Sequence, residues 1–316
     1  MAATLVLGSA VKSSSRYLMY RVLGHLLLML SAVKLLAMAV SIIYNESSFW
    51  VFLGSAVFTA SLGYTLVYKG RDAKDIKHRQ LFLLTTLSWL ALCVFSAIPL
   101  WLIVPNCTLT DAVFETVSAV TTTGSTVFAG LDNMPKGVLF WRAVLNWMGG
   151  IGIIVMAIAI LPALKIGGMR LFKTENSDTS DKILPRSSTL SAAIGFVYLV
   201  LTACTMTTYY LAGMTGFDAI THAMTTVATG GFANYDSSFG IYKDSPQIFW
   251  FSSFFMMLAA MPFVLFVSLA KGDKTSLWRD PQVRTFVAIV LFCSVLLTVY
   301  QVVHNDRAVF DALTHS

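Results

Sequence analysis

Seven mostly apolar stretches decide what this chain can fold into: residues 22–43, 50–68, 81–104, 140–162, 188–211, 247–270 and 285–303. A helix crossing a bilayer needs about 20 residues, and each stretch is too long for a buried strand. Only 12% of the 316 residues are charged and 56% are hydrophobic, against roughly 25% charged in soluble domains. The chain reads as an all-α polytopic membrane protein. Its first apolar stretch exceeds the roughly 7–15 residues of a cleavable signal core, so a retained helix is expected.

The net charge of +6 is arranged for a membrane rather than for nucleic acid. Basic residues gather at the N-terminus (Lys12, Arg16, Arg21) and in alternate connections: "KGRDAKDIKHR" (69–79), the 165–186 loop and "KGDKTSLWRDPQVR" (271–284). These hold 17 of the 22 Lys and Arg. Cytoplasmic connections carry such an excess, so the N-terminus and the basic loops are expected inside. Cys93, Cys107, Cys204 and Cys293 show neither CxxC spacing nor pairing with histidines, and read as packing thiols.

Two of the opposite connections, about 105–139 and 212–246, share a frame. "DAVFETVSAVTTTGS" (111–125) lies over "DAITHAMTTVATGGF" (218–232) without a gap, pairing Asp111 with Asp218, Val120 with Val227, Thr122 with Thr229 and Gly124 with Gly231. "DALTHS" (311–316) starts the same frame a third time. Repetition at matching places signals repeated architecture. The expected plan is parallel helix–pore loop–helix repeats, two complete and a third truncated, preceded by a peripheral helix pair. Its segments are 1–80 (N-terminal segment and peripheral pair), 81–187 (first repeat with its cytoplasmic loop), 188–284 (second repeat with its loop) and 285–316 (start of the third).

The composition of the loop suits a monovalent cation. Backbone carbonyls replace hydration with partial charges, so an ion binds and still leaves. Threonine hydroxyls can add oxygen, and glycine tolerates the φ > 0 that aligned carbonyls require. Neither Thr/Gly cluster contains a carboxylate, unlike a Ca²⁺ or Mg²⁺ cage. Asp111 and Asp218 are expected to cap the short pore helices.

"AVTTTGSTVFAGLDNMPKGVLFWRAVLNWMGGIGIIVMAIAILPAL" with "GGMRLFKTENSD", and "TTVATGGFANYDSSFG" further on, resemble the TrkH branch of the Trk/Ktr/HKT potassium transporter superfamily, from about residue 16 to the end. The resemblance implies a pseudo-fourfold pore in the cell (inner) membrane, usually homodimeric, with potassium as substrate and no cofactor. It also implies a cytoplasmic nucleotide-binding regulatory partner. By position, the filter would use Thr121, Thr122, Thr123 and Gly124 from the first repeat, and Val227, Ala228, Thr229, Gly230 and Gly231 from the second. A glycine at the position of Gly124 accompanies potassium preference in the superfamily. Members have four pore loops, so the chain is expected to be a truncated product or fragment.

Other residues carry plainer expectations. Lys34 is read as paired or snorkelling, and Arg142 and Trp147 as interfacial. Gly149, Gly150 and Gly152 are read as sites of close helix approach. His222 and His315 recur in the frame without a surrounding ligand set, so no transition-metal site is expected. A solute transporter would carry inverted repeats, and an enzyme would need converging reactive groups. Neither pattern is present in the sequence. A non-transporting truncated product, inert or a regulatory partner of full-length subunits, is the remaining rival.

Overall fold

The computed structural model describes residues 2–71, 78–160, 183–305 and 308–314. Most of the 165–186 loop and His315 lie outside the described residues. Among those described, every regular element is helical. The chain forms two compact units, Met1–Ser180 and Asp181–Ser316. The first holds α1 (Ala2–Ile43), α2 (Phe49–Lys69), α3 (His78–Ile103), α4 (Leu109–Val120) and α5 (Lys136–Ile160). The second holds α6 (Ile183–Leu211), α7 (Gly216–Val227), α8 (Pro246–Ala260), α9 (Phe263–Ala270), α10 (Ser276–Arg279), α11 (Pro281–Asn305) and α12 (Val309–Thr314).

Stretches Tyr17–Ile43, Phe49–Lys69, Phe82–Ile103, Thr189–Leu211 and Pro281–Asn305 are each long and apolar enough to cross a membrane. The 25-residue α5 also exceeds the roughly 20 residues a crossing requires. By contrast α4 and α7 have 12 residues each, about 18 Å at the helical rise, and fall short. The chain is a multi-pass helical membrane protein.

One expected span is not a single helix. Residues 247–270 divide into α8 and α9, which meet at 89°. Pro262 supplies no N–H and disfavours helical backbone before it, and Met261 is accordingly extended (φ −78°, ψ 152°). The Leu258 carbonyl, which an amide at 262 would have bonded, accepts from the Met261 N–H instead, at 3.2 Å.

Pro99 behaves differently, and Lys34 explains why. Pro99 lies within α3, so the Phe95 carbonyl loses its helical partner. Lys34 Nζ donates to that carbonyl at 2.9 Å, to Thr59 Oγ1 at 2.8 Å and to the Ser55 carbonyl at 3.3 Å. The side chain is fully buried, so it neither snorkels nor pairs with a carboxylate among the described residues. It joins α1 to α2 and α3 through neutral oxygens. Trp141 of α5 donates from Nε1 to the Ser96 carbonyl at 3.0 Å, one residue further along α3.

The α1–α2 pair is itself close-packed. A Cβ on Gly24 would stand 2.7 Å from the Gly63 carbonyl oxygen, and one on Gly63 would stand 2.9 Å from that of Gly24. Small residues permit such backbone approach between membrane helices. The pair is also tied to the first repeat. Glu46, in the short turn after α1, accepts from the Lys136 and Gly137 N–H groups, the latter at 3.0 Å. A carboxylate there satisfies free amides and complements the positive end of α5.

Gly24→Ala should cost about 1–3 kcal/mol through overpacking. Gly54→Ala, whose Cβ meets nothing within 4 Å, should be neutral or gain up to about 1 kcal/mol in helix propensity. Unfolding of both purified variants in detergent checks the difference, and equal effects would contradict the close crossing.

Candidate functional site

Each repeat contains a short amphipathic helix, capped at one end and closed at the other in the same way. Thr108 is the N-cap of α4: its Oγ1 accepts from the Asp111 N–H at 3.1 Å, while the Asp111 carboxylate accepts from the Thr108 N–H at 3.0 Å and hydroxyl at 2.7 Å. Thr215 caps α7 likewise, accepting from the Asp218 N–H at 3.1 Å and donating to its carboxylate at 2.7 Å. The aspartates therefore stand at the third helical position, and the threonines before them are the caps. The N-cap residues are thus the threonines, while Asp111 still caps a free amide, that of Thr108, from the third helical position.

At the opposite end the two helices terminate with matching bonds. Thr121, Thr122 and Thr123 donate their N–H groups to the carbonyls of Val117, Ala119 and Ser118, at 2.9, 3.0 and 2.9 Å. Ala228, Thr229 and Gly230 donate to those of Met224, Thr226 and Thr225, at 3.1, 2.9 and 2.9 Å. The last two bonds of each set form a Schellman closure, which requires a left-handed residue just past the helix. Thr122 (φ 55°) and Thr229 (φ 51°) occupy that place. A β-branched residue rarely adopts this backbone.

The next left-handed residues are Gly124 (φ 79°) and Gly231 (φ 76°). Thr121 (φ −84°) and Ala228 (φ −75°) precede the pattern, and Thr123 and Gly230 are absent from the positive-φ residues. The sign of φ therefore alternates over four residues in both loops. Such alternation gathers successive N–H groups on one side of the strand, where those of Thr121–Thr123 and Ala228–Gly230 bond the helix end, and turns the carbonyls to the other. Hydroxyls fill in around it: Thr121 Oγ1 donates to the Val117 carbonyl and lies 2.8 Å from Thr123 Oγ1, and Thr229 Oγ1 donates to the Ala228 carbonyl at 2.8 Å. Val227, before Ala228, is buried.

Behind the loops the two units differ. In the first, Glu115 of α4 and Arg142 of α5 form an ion pair of 2.7 Å, with 0% and 2% exposure. Glu115 also accepts from Thr126 Oγ1 at 2.9 Å and from the Val127 N–H at 3.1 Å, and Arg142 donates to Thr126 Oγ1 at 3.3 Å. Arg142 is thus an interior tie and not an interfacial, snorkelling side chain. Trp147 is half-buried on the same helix. In the second unit His222 aligns with Glu115. Its Nδ1 donates to the Asp218 carbonyl at 2.9 Å, and its ring sits among Tyr235, Phe239 and Tyr242. There the returning strand is held by Asn234, donating to Asp218 Oδ1 at 2.8 Å and Thr221 Oγ1 at 2.7 Å, and by Tyr235, donating to Asp218 Oδ2 at 2.9 Å.

Of the three glycines read as close approaches, Gly149 is one: a Cβ there would stand 2.1 Å from the Val120 carbonyl oxygen, at the end of α4. A Cβ on Gly152 would meet nothing within 4 Å. Glu115, Thr126, Asn234 and Tyr235 were missed by sequence reasoning. A carboxylate in the middle of an apolar loop helix, beyond the one at its start, followed by a lone arginine in the next helix, is a usable signal, because ionisable groups within membranes rarely lack a role. Among the described residues no group of three or more His, Cys, Asp or Glu could hold a metal ion.

Residues 48–315 match the TrkH family, described as cation transport proteins. The chain is 43% identical over 295 residues to the Trk system potassium uptake protein TrkI of Halomonas elongata, covering 93% of this chain and 60% of that protein. It is 36% identical over 290 residues to the Trk system potassium uptake protein TrkH of Escherichia coli K12, covering 90% and 60%. The crystal structure of the potassium transporter TrkH from Vibrio parahaemolyticus superimposes with a TM-score of 0.83 at 34% identity, covering 94% of this chain and 61% of that one. The chain spans about 60% of the length of the relatives it matches.

Glu115→Gln leaves Arg142 buried beside a neutral group and should cost about 3–5 kcal/mol. Asp111→Asn, at a helix start, should cost about 1 kcal/mol. Denaturant unfolding of the purified variants measures both, and similar losses would contradict the buried pair.

Proposed function

This chain belongs to the TrkH family of cation transport proteins, and we propose that it takes part in potassium uptake across the cell membrane through a filter of backbone carbonyls. Thr121 to Gly124 and Val227 to Gly231 contribute to that filter. The observation that carries the reading is the matching alternation of φ in the two loops, Thr122 and Gly124 against Thr229 and Gly231. A strand of this kind offers oxygen dipoles to a dehydrated monovalent ion and demands no covalent chemistry. An ion enclosed by carbonyls needs strands on every side, so the proposed filter includes loop strands besides these two.

The N-terminus and basic connections are cytoplasmic in this reading, supported by the distribution of Lys and Arg. The protein works as a homodimer in the inner membrane, and a nucleotide-binding regulatory subunit docks on the cytoplasmic side. Inward flux is favoured by the membrane potential, which contributes roughly 2.3 kcal/mol per elementary charge per 100 mV. The broken α8–α9 pair resembles the discontinuous helices of solute transporters, but those belong to inverted or otherwise paired repeats with a midplane site. The Lys and Arg distribution assigns both loops to outside connections in this reading, which opposes that alternative.

Rubidium uptake by potassium-uptake-deficient cells producing this chain tests the reading. With the remaining loop strands supplied by the C-terminal part of a full-length relative produced alongside, the chain should support uptake, and Gly124→Ser and Gly231→Ser should each reduce it about tenfold. That size follows from the roughly 1–2 kcal/mol that a side chain costs in left-handed backbone. A Cβ on Gly231 meets nothing within 4 Å, so a loss there reports backbone conformation and not a clash. Full uptake by both variants would remove these glycines from the filter.

A further inference from the structure

Each loop strand begins at a Schellman closure, but a strand fixed at one end can still shift. What holds its far end differs between the two units, and in the first it is a compact polar junction centred on Thr126. The Thr126 hydroxyl donates to Glu115 (2.9 Å to Oε1), accepts from Arg142 Nη2 at 3.3 Å, and accepts from the Phe128 N–H at 3.1 Å. Glu115 accepts in addition from the Val127 N–H at 3.1 Å and from Arg142 Nε at 2.7 Å. The strand two residues beyond Gly124 is thereby fastened both to the pore helix that precedes it and to the helix that follows.

We propose that the Glu115–Arg142–Thr126 junction is a specificity-determining brace: it fixes the span of the strand Thr121–Gly124, and so the spacing of its carbonyls, against collapse onto a smaller ion. This rests on the proposed filter and assigns the part of the protein that sets its discrimination. A short strand clamped at both ends cannot draw its oxygens inward for sodium without stretching a buried ion pair. The second unit meets the same need with other chemistry, since Asn234 and Tyr235 fasten its returning strand to Asp218. His222 stands where Glu115 does, packed among aromatic rings. The three members act through the strand and are positioning residues.

Thr126 permits a test that spares the buried pair. Thr126→Val keeps the shape and leaves the Glu115–Arg142 contact in place, while removing the hydroxyl at its centre. Thr126→Ser restores the hydroxyl. Uptake of rubidium and of sodium is measured in cells lacking their own potassium uptake, with each variant's amount in the membrane determined alongside. Thr126→Val should lower the rubidium-to-sodium uptake ratio about tenfold, as expected when about 1.4 kcal/mol of discrimination is lost, and Thr126→Ser should hold it within about twofold of the parent, under 0.5 kcal/mol on the same scale. Uptake of both ions falling in proportion, with the ratio unchanged, would make the junction purely structural and overturn the proposal. A ratio lost in both variants would also overturn it, because the hydroxyl would not be the cause. Absence of rubidium uptake by the parent chain, with the remaining loop strands supplied by the C-terminal part of a full-length relative, would defeat the carbonyl-filter reading, and this proposal with it.

Discussion

Lipid offers no hydrogen bonds, so every backbone polar group inside a membrane must find its partner within the protein. The features that distinguish this chain from a plain bundle of apolar helices are answers to that constraint. Pro99 strands the Phe95 carbonyl, and Lys34 reaches across from α1 to satisfy it. The first amides of α5 have no helical partner, and Glu46 supplies one from the turn after α1. The returning strand after Gly124 leaves the Val127 N–H outside any helix, and Glu115 accepts it. Three charged side chains of the first unit thus serve backbone groups that regular helix cannot.

The loops obey the same constraint in their own backbone. Ending α4 and α7 by Schellman closure satisfies the last carbonyls of each helix at the cost of a left-handed residue. Threonine fills that place in both, at φ 55° and 51°, though left-handed backbone costs an L-residue roughly 1–2 kcal/mol. Glycine would relieve the strain but would lose the hydroxyl, and in the second loop that hydroxyl bonds the Ala228 carbonyl. Strain of this kind concentrates where function requires a particular backbone. The same strained choice is made twice, in two units with different bracing, so it does not follow from the packing of one unit alone.

The apolar spans and the duplicated loop were legible in the sequence because both are linear patterns: a run of residues, and a frame that repeats without a gap. The two prolines show where linear reading stops. Both lie in apolar runs, yet α3 continues through Pro99 while the chain turns by 89° at Pro262. What separates them is the fate of the carbonyl four residues back, which accepts from Lys34 in one case and from the neighbouring Met261 N–H in the other. The donor in the first case is 61 residues away, so no local signal announces it. Arg142 was misplaced at the interface for a similar reason: its partner Glu115 is 27 residues away, on a different helix. The aspartates were found, but one turn of helix geometry puts the threonines in the N-cap place.

In the proposed function the alternating strands of both loops bind a dehydrated monovalent cation with backbone oxygens. Anomalous scattering from crystals of this protein grown in rubidium tests it most directly. Density against the backbone of Thr121–Gly124 and of Ala228–Gly231, weakened when sodium replaces rubidium, is the predicted result. Rubidium bound only at carboxylates such as Asp111 or Asp218, with none along either strand, would contradict the account.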